Sequence, residues 1–133
     1  MSQPERPTEI PPQHQYSGQV GIRPVLRNET ETRASVVRFW PGARTGWHTH
    51  AGDQLLLIID GKGLIVSSDA VISASPGMIV RVQAGESHWH GARAADGMSH
   101  LAISTGASTY TGRVDDEEHF RADQQASFKD DGN

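Results

Sequence analysis

From about residue 16 to residue 105 the chain is cut into short apolar or β-branched runs by glycine and proline turns, and no sustained 3.6-residue period runs through it. Runs at 19–26, 34–40, 54–60, 64–67, 70–73, 78–83, 87–91 and 99–105 read as strands, because β-branched and apolar side chains suit a half-buried pleated surface. Turns are signalled at Asn28-Glu29-Thr30, Pro41-Gly42, Gly61-Lys62-Gly63, Pro76-Gly77 and Ala84-Gly85. A helical bundle needs the period that is missing here. Many short strands joined by tight turns argue instead for an all-β antiparallel sandwich or barrel.

At 133 residues there is material for one such core. Four of the seven prolines, Pro4, Pro7, Pro11 and Pro12, fall in the first twelve residues, so 1–15 reads as an extended or disordered arm preceding a body at 16–112. Residues 113–133 form an acidic tail. Its segment VDDEEHFRADQQ favours a short helix, since acids stabilise an N-terminal turn, whereas QQASFKDDGN offers little to bury.

That tail carries a net charge equal to the whole chain's −4, which leaves the body electrically balanced. Without a basic patch, nucleic acid is not an expected partner. No apolar run approaches the roughly 18 residues that span a bilayer, and the N-terminus lacks a basic segment followed by an apolar one. A soluble, cytoplasmic protein acting on a small molecule is expected. The absence of cysteine excludes disulfides, thiolate ligands and a cysteine nucleophile, so any metal must be held by nitrogen and oxygen.

Five of the seven histidines, His48, His50, His88, His90 and His100, crowd into the core segment; His14 and His119 lie in the tails and read as surface residues. Strand residues two apart share a face, so His48 with His50 and His88 with His90 form two inward pairs on facing strands. Gln54 follows a tight turn at Ala51-Gly52-Asp53 that can bring its amide back to the same centre. Three imidazoles and one oxygen suit a divalent first-row metal with positions left open, and the candidate set is His48, His50, Gln54 and His88. A lone pair of this kind is as easily two satisfied core or surface residues; two pairs in one small β domain favour the metal. By alternation Ser35, Val37, Phe39, Ala102 and Ser104 face the same interior. Trp47 and Trp89 face away from it. Arg38, Arg44 and Arg81 read as surface or interface charges, although Arg44 shares the parity of His48 and so is placed to orient an anion.

The segment GARTGWHTHAGDQLLLIIDG, Gly42 to Gly61, resembles the first motif of the cupin superfamily, with Gln54 at that motif's glutamate. GMIVRVQAGESHWHGA resembles the second, with Gly77, Gly85 and His88 in place but Gln83 for its proline and Ala92 for its asparagine. PGARTGWHTH, GESHWHGA and MSHLAI are more closely similar to small bacterial cupins that include manganese-dependent hydroxynitrile lyases. The resemblance covers about residues 16–120 and implies that the body at 16–112 is a double-stranded β-helix, or jelly-roll, barrel. It implies that His48, His50, Gln54 and His88 hold the metal, Mn2+ being favoured over Fe2+, Zn2+, Ni2+ or Co2+. His90 and His100 line the pocket. It also implies a homodimer with an N-terminal strand exchanged near 15–26. A neutral amide in place of a carboxylate leaves the metal its full charge, which suits Lewis-acid chemistry. The leading expectation is a lyase using His90 or His100 for proton transfer; the alternatives are an Fe(II)-type dioxygenase and a non-catalytic ligand binder.

Overall fold

The structure, a computed structural model, describes residues 8–26 and 32–131, so the turn expected at Asn28-Glu29-Thr30 and residues 1–7 of the arm lie outside it. The described arm is extended. It forms an isolated bridge between Glu9 and Ile22 and ends in a 3-10 turn at Gln13–Gln15.

Among the described residues, twelve strands follow in two antiparallel sheets. The first sheet contains β1 (Tyr16–Ser17), β4 (Arg44–Thr45), β5 (Trp47–His50), β7 (Gly63–Ser67), β8 (Val71–Ala74), β10 (His88–Ala92) and β12 (Ser108–Gly112). The second runs in the order β2 (Val20–Leu26), β3 (Thr32–Phe39), β11 (Met98–Thr105), β6 (Gln54–Gly61) and β9 (Ile79–Val82). This is the expected jelly-roll barrel. Gly42, Gly61, Gly77 and Gly85 all have φ between 78° and 91°, the left-handed region that glycine enters without steric cost, at the turns their sequences signal.

Strand β6 shows how the pattern becomes a core. Gln54, Leu56 and Ile58 point inward and are buried, whereas Leu55, Leu57 and Ile59 point outward. Between the sheets, Leu56 and Ile58 pack with Val37, Phe39, Ile65, Val82 and Met98; each such side chain contributes about 1.5–3 kcal/mol by leaving water.

Strands β4, β5 and β12 escape a reading based on apolar runs. Strand β12 has the polar sequence STYTG, and β4 with β5 is a single polar stretch interrupted at Gly46. They pair because their backbones complete the ladder beside β10, a property that side-chain hydrophobicity does not encode.

The tail departs further from expectation. Helix α1 runs from Asp116 to Asp131, longer than a short terminal turn, and QQASFKDDGN is not without core residues. Ala122 and Ala126 are buried with Val114 against Leu64, Val66, Val71 and Trp89, on the back of the first sheet. Two buried arginines hold this segment. Arg93 donates from Nε to Asp123 Oδ1 at 2.6 Å and from a terminal nitrogen to Ser127 Oγ at 2.6 Å. Arg44 donates to the Val114 carbonyl, at 3.0 Å from Nε and 2.6 Å from its second terminal nitrogen, and also to Asp116 Oδ1. His119, expected at the surface, is buried: its ring packs 5.9 Å from Trp89 and its Nε2 donates to the Ala92 carbonyl at 2.8 Å. Helical periodicity turns it toward the sheet together with Ala122 and Ala126.

Candidate metal centre

Strands β5 and β10 pair so that His48 and His88 stand opposite each other, and alternation brings His50 and His90 to the same interior. The ring nitrogens of His48, His50 and His88 lie within 4.8 Å of one another, and all three residues are buried. Each ring turns its Nδ1 to an oxygen: the Gly46 carbonyl for His48 at 2.8 Å, the Ser108 hydroxyl for His50 at 2.8 Å, and the Glu86 carbonyl for His88 at 3.0 Å. A carbonyl can only accept, so Nδ1 of His48 and His88 carries the proton and Nε2 keeps a lone pair, the tautomer a metal requires.

Gln54 opens β6 on its inner face. Its Nε2, as the amide is assigned, donates to Ser104 Oγ at 2.9 Å, across the ladder position where Gln54 pairs with Ser104. Its Oε1 then faces His88 Nε2 at 3.0 Å. Two acceptors in a buried site oppose one another there, and His50 Nε2 is buried with no partner at all. A cation among these atoms relieves both conditions, so the donor set fits a divalent metal.

The site also sets its own protonation. Burial, then the neighbouring His88, pushes His48 down to about 3 and His50 down to about 4. Burial likewise lowers His88, places His90 well below the ordinary imidazole value, and takes His100 to about 4. All five rings are neutral at neutral pH, ready to bind a metal or accept a proton.

Next to the candidate ligands, His100 Nε2 lies 3.0 Å from His90 Nδ1, while His90 Nε2 and His100 Nδ1 are buried without partners. The Phe39 ring packs 5.3 Å from His100 and 6.0 Å from His90. A cavity of about 150 Å3 adjoins these groups, lined in part by Ser35, Val37, Ala102 and Ser104 as alternation predicts; Phe39 lies behind the histidines instead.

Arginine 44 is not in the cavity. Gly46 interrupts the strand, so that Thr45 faces inward in its place and Arg44 turns toward the C-terminal segment. A Cβ on Gly46 would sit 2.5 Å from the Gly112 carbonyl oxygen, which restricts the position to glycine. The cavity lining also includes Arg33, Tyr16, Ser108 and Tyr110, none of which hydrophobic patterning singles out. Arg33 is recoverable: β3 begins at Thr32 rather than 34, and one more step of the alternation from Ser35 reaches it. Trp47 and Trp89 face away as expected, but toward α1, with Trp47 Nε1 donating to Glu118 Oε2 at 2.9 Å.

Comparison with known proteins agrees with this architecture. The family described as Cupin domain matches residues 35–104, a span that includes all four candidate donors and both remaining core histidines. An (R)-mandelonitrile lyase from Granulicella tundricola is 40% identical over 91 residues, covering 66% of this chain and 70% of that protein. A cupin-like protein from Thermotoga maritima superposes with a TM-score of 0.83 at 29% identity, over 90% of this chain and 94% of the other. The polyketide cyclase RemF from Streptomyces resistomycificus shares the fold, with a TM-score of 0.71 at 15% identity over 90% of each chain. With the two-sheet barrel and its inward histidines, these likenesses lead to one conclusion: the chain belongs to the cupin family and resembles its bacterial hydroxynitrile lyases.

Proposed function

We propose that the protein is a divalent-metal-dependent lyase of the hydroxynitrile-lyase type, with His48, His50, Gln54 and His88 as the ligands and Mn2+ as the favoured ion. The observation that carries this reading is the 40% identity to a mandelonitrile lyase. When bound, the metal supplies Lewis-acid stabilisation of negative charge on substrate oxygen or on departing cyanide, undiminished by any ligand carboxylate.

The chain's own contribution is proton handling by His90 and His100. One proton lies between His90 Nδ1 and His100 Nε2, so whichever ring donates it has a lone pair on its other nitrogen and its partner has an N–H there. The pair therefore offers one acceptor and one donor, at His100 Nδ1 and His90 Nε2 or the reverse. The acceptor takes the hydroxyl proton of a cyanohydrin as its carbon–carbon bond breaks, and the donor protonates the cyanide. The products are an aldehyde and hydrogen cyanide, and transfer of the shared proton across the pair leaves both rings neutral in the reverse tautomer, with the acceptor and donor positions exchanged.

The test is cyanide release from mandelonitrile by manganese-loaded protein, with oxygen consumption followed in parallel on diketones or flavonols after iron loading. Cyanide release is the expected result. Oxygen uptake without it would replace this reading with a dioxygenase, and binding without turnover would replace it with a ligand-binding cupin.

A further inference from the structure

No aspartate or glutamate lines the cavity among the described residues. The four candidate ligands are three imidazoles and an amide, with no carboxylate among them. A divalent ion in this enclosure would retain its whole charge, with no protein anion to balance it, and an uncompensated charge in low dielectric is costly.

Arg33 adds to the same field. It shares the parity of Ser35 on β3 and lines the rim of the cavity with His50 and Tyr110, exposed to solvent. One terminal nitrogen donates to the Gly106 carbonyl at 2.7 Å, and no described carboxylate forms an ion pair with the guanidinium.

Two phenols complete this side. Tyr110 stacks on His48, ring centroids 4.7 Å apart, and lies beside Tyr16, ring centroids 6.3 Å apart. Both phenols line the cavity, where a tyrosine hydroxyl can donate. Free donors and positive charge thus surround a space of about 150 Å3, roughly that of five waters.

We propose that the cavity is specific for a small organic anion, a hydroxy or oxo acid of about two to four carbons, whose carboxylate is taken by Arg33 while its other oxygen reaches the metal. This inference rests on the metal-centre reading given above, and it names the charge class of the substrate that the lyase assignment leaves open. Arg33 is a specificity-determining residue under this assignment, and cleavage of a neutral cyanohydrin is then a secondary capacity of the same centre.

The test uses manganese-loaded protein titrated calorimetrically with glycolate and with its neutral counterpart glycolamide, for the unaltered chain, Arg33→Gln and Arg33→Lys, each first checked for manganese content and thermal melting. A charge-assisted bidentate contact predicts glycolate binding about tenfold or more tighter than glycolamide. Arg33→Gln should erase that preference without changing manganese content or glycolamide affinity, and Arg33→Lys should keep part of it. Equal affinity for acid and amide in the unaltered chain overturns the inference, as does undiminished acid preference in folded Arg33→Gln or protein showing neither manganese uptake nor acid preference. Mandelonitrile turnover on the same preparations separates the two readings: cleavage without acid preference sinks the anion assignment alone, and acid preference without cleavage sinks the lyase assignment alone.

Discussion

Gln54 holds its position through a neighbour 50 residues away. Ser104 accepts from the amide nitrogen and so turns the amide oxygen toward His88. Replacing Ser104 by Ala frees the amide to rotate, and metal affinity is expected to fall by about 10–100-fold, read by titration against a chelator. Gln54→Glu is expected to do the opposite to affinity: the carboxylate binds the cation more tightly but neutralises part of its charge, and cyanide release should drop by about an order of magnitude. Weaker metal binding in Gln54→Glu would sink the argument that the neutral amide matters for charge. His100→Ala is expected to lower turnover by about 10²–10⁴-fold while leaving metal content unchanged. Unchanged turnover would remove His100 from the mechanism.

At the scale of elements, the C-terminal helix braces the strands that carry the histidines. Trp89, between His88 and His90, has its indole fully buried in the cluster with Ala122 and Ala126, and Trp47, next to His48, is bonded to Glu118. Arg93 ties α1 to the end of β10 through Asp123, both side chains largely out of water at 9% and 19% exposure. Arg93→Ala leaves that carboxylate without its cation and is expected to cost about 3 kcal/mol, seen as a lower melting temperature. An unshifted melting curve would show that the helix contributes little to the fold. The helix was legible only as an acidic start. Its length depends on burying alanines and His119 against a sheet, and alanine carries too little apolar character for a burial pattern to show in sequence.

For the molecule as a whole, the histidine cluster makes stability depend on pH. Burial holds the folded-state pKa of His100 at about 4, below the ordinary 6.5, and holds His90 well below the ordinary value too. As the pH falls, the unfolded chain takes up these protons first. Their contribution is therefore fully present above 6.5 and is lost as the pH drops toward 4. Each imidazole accounts for up to about 1.4 kcal/mol per pH unit inside that window. Melting of metal-free protein should fall between about pH 7 and pH 5, and a flat profile would contradict the buried neutral cluster. The outer face of the second sheet sets a second whole-molecule expectation. Leu55, Leu57, Ile59 and Ile79 are 37–68% exposed on adjacent strands, a surface suited to the homodimer that the family resemblance implies. Light scattering should give a dimer, and Leu57→Arg should shift it toward monomer; a monomeric unaltered chain would leave that face to another partner. Among the described residues no helix is long and apolar enough to cross a membrane.

Local rules sufficed for the alternating strands, the glycine turns and the shared face of His48 with His50 and of His88 with His90, because strand parity and left-handed turn geometry are properties of neighbouring residues. Tertiary structure was needed for everything that depends on contacts between distant segments. The break at Gly46 exchanges Arg44 for Thr45 in the cavity, and the polar strand β12 brings Ser108 to His50 and Tyr110 to His48. The opening of β3 at Thr32 delivers Arg33 to the rim, and α1 closes over Trp89. Backbone pairing and the burial of small or polar residues leave no period in a chain, so these features appear only once the two sheets have closed.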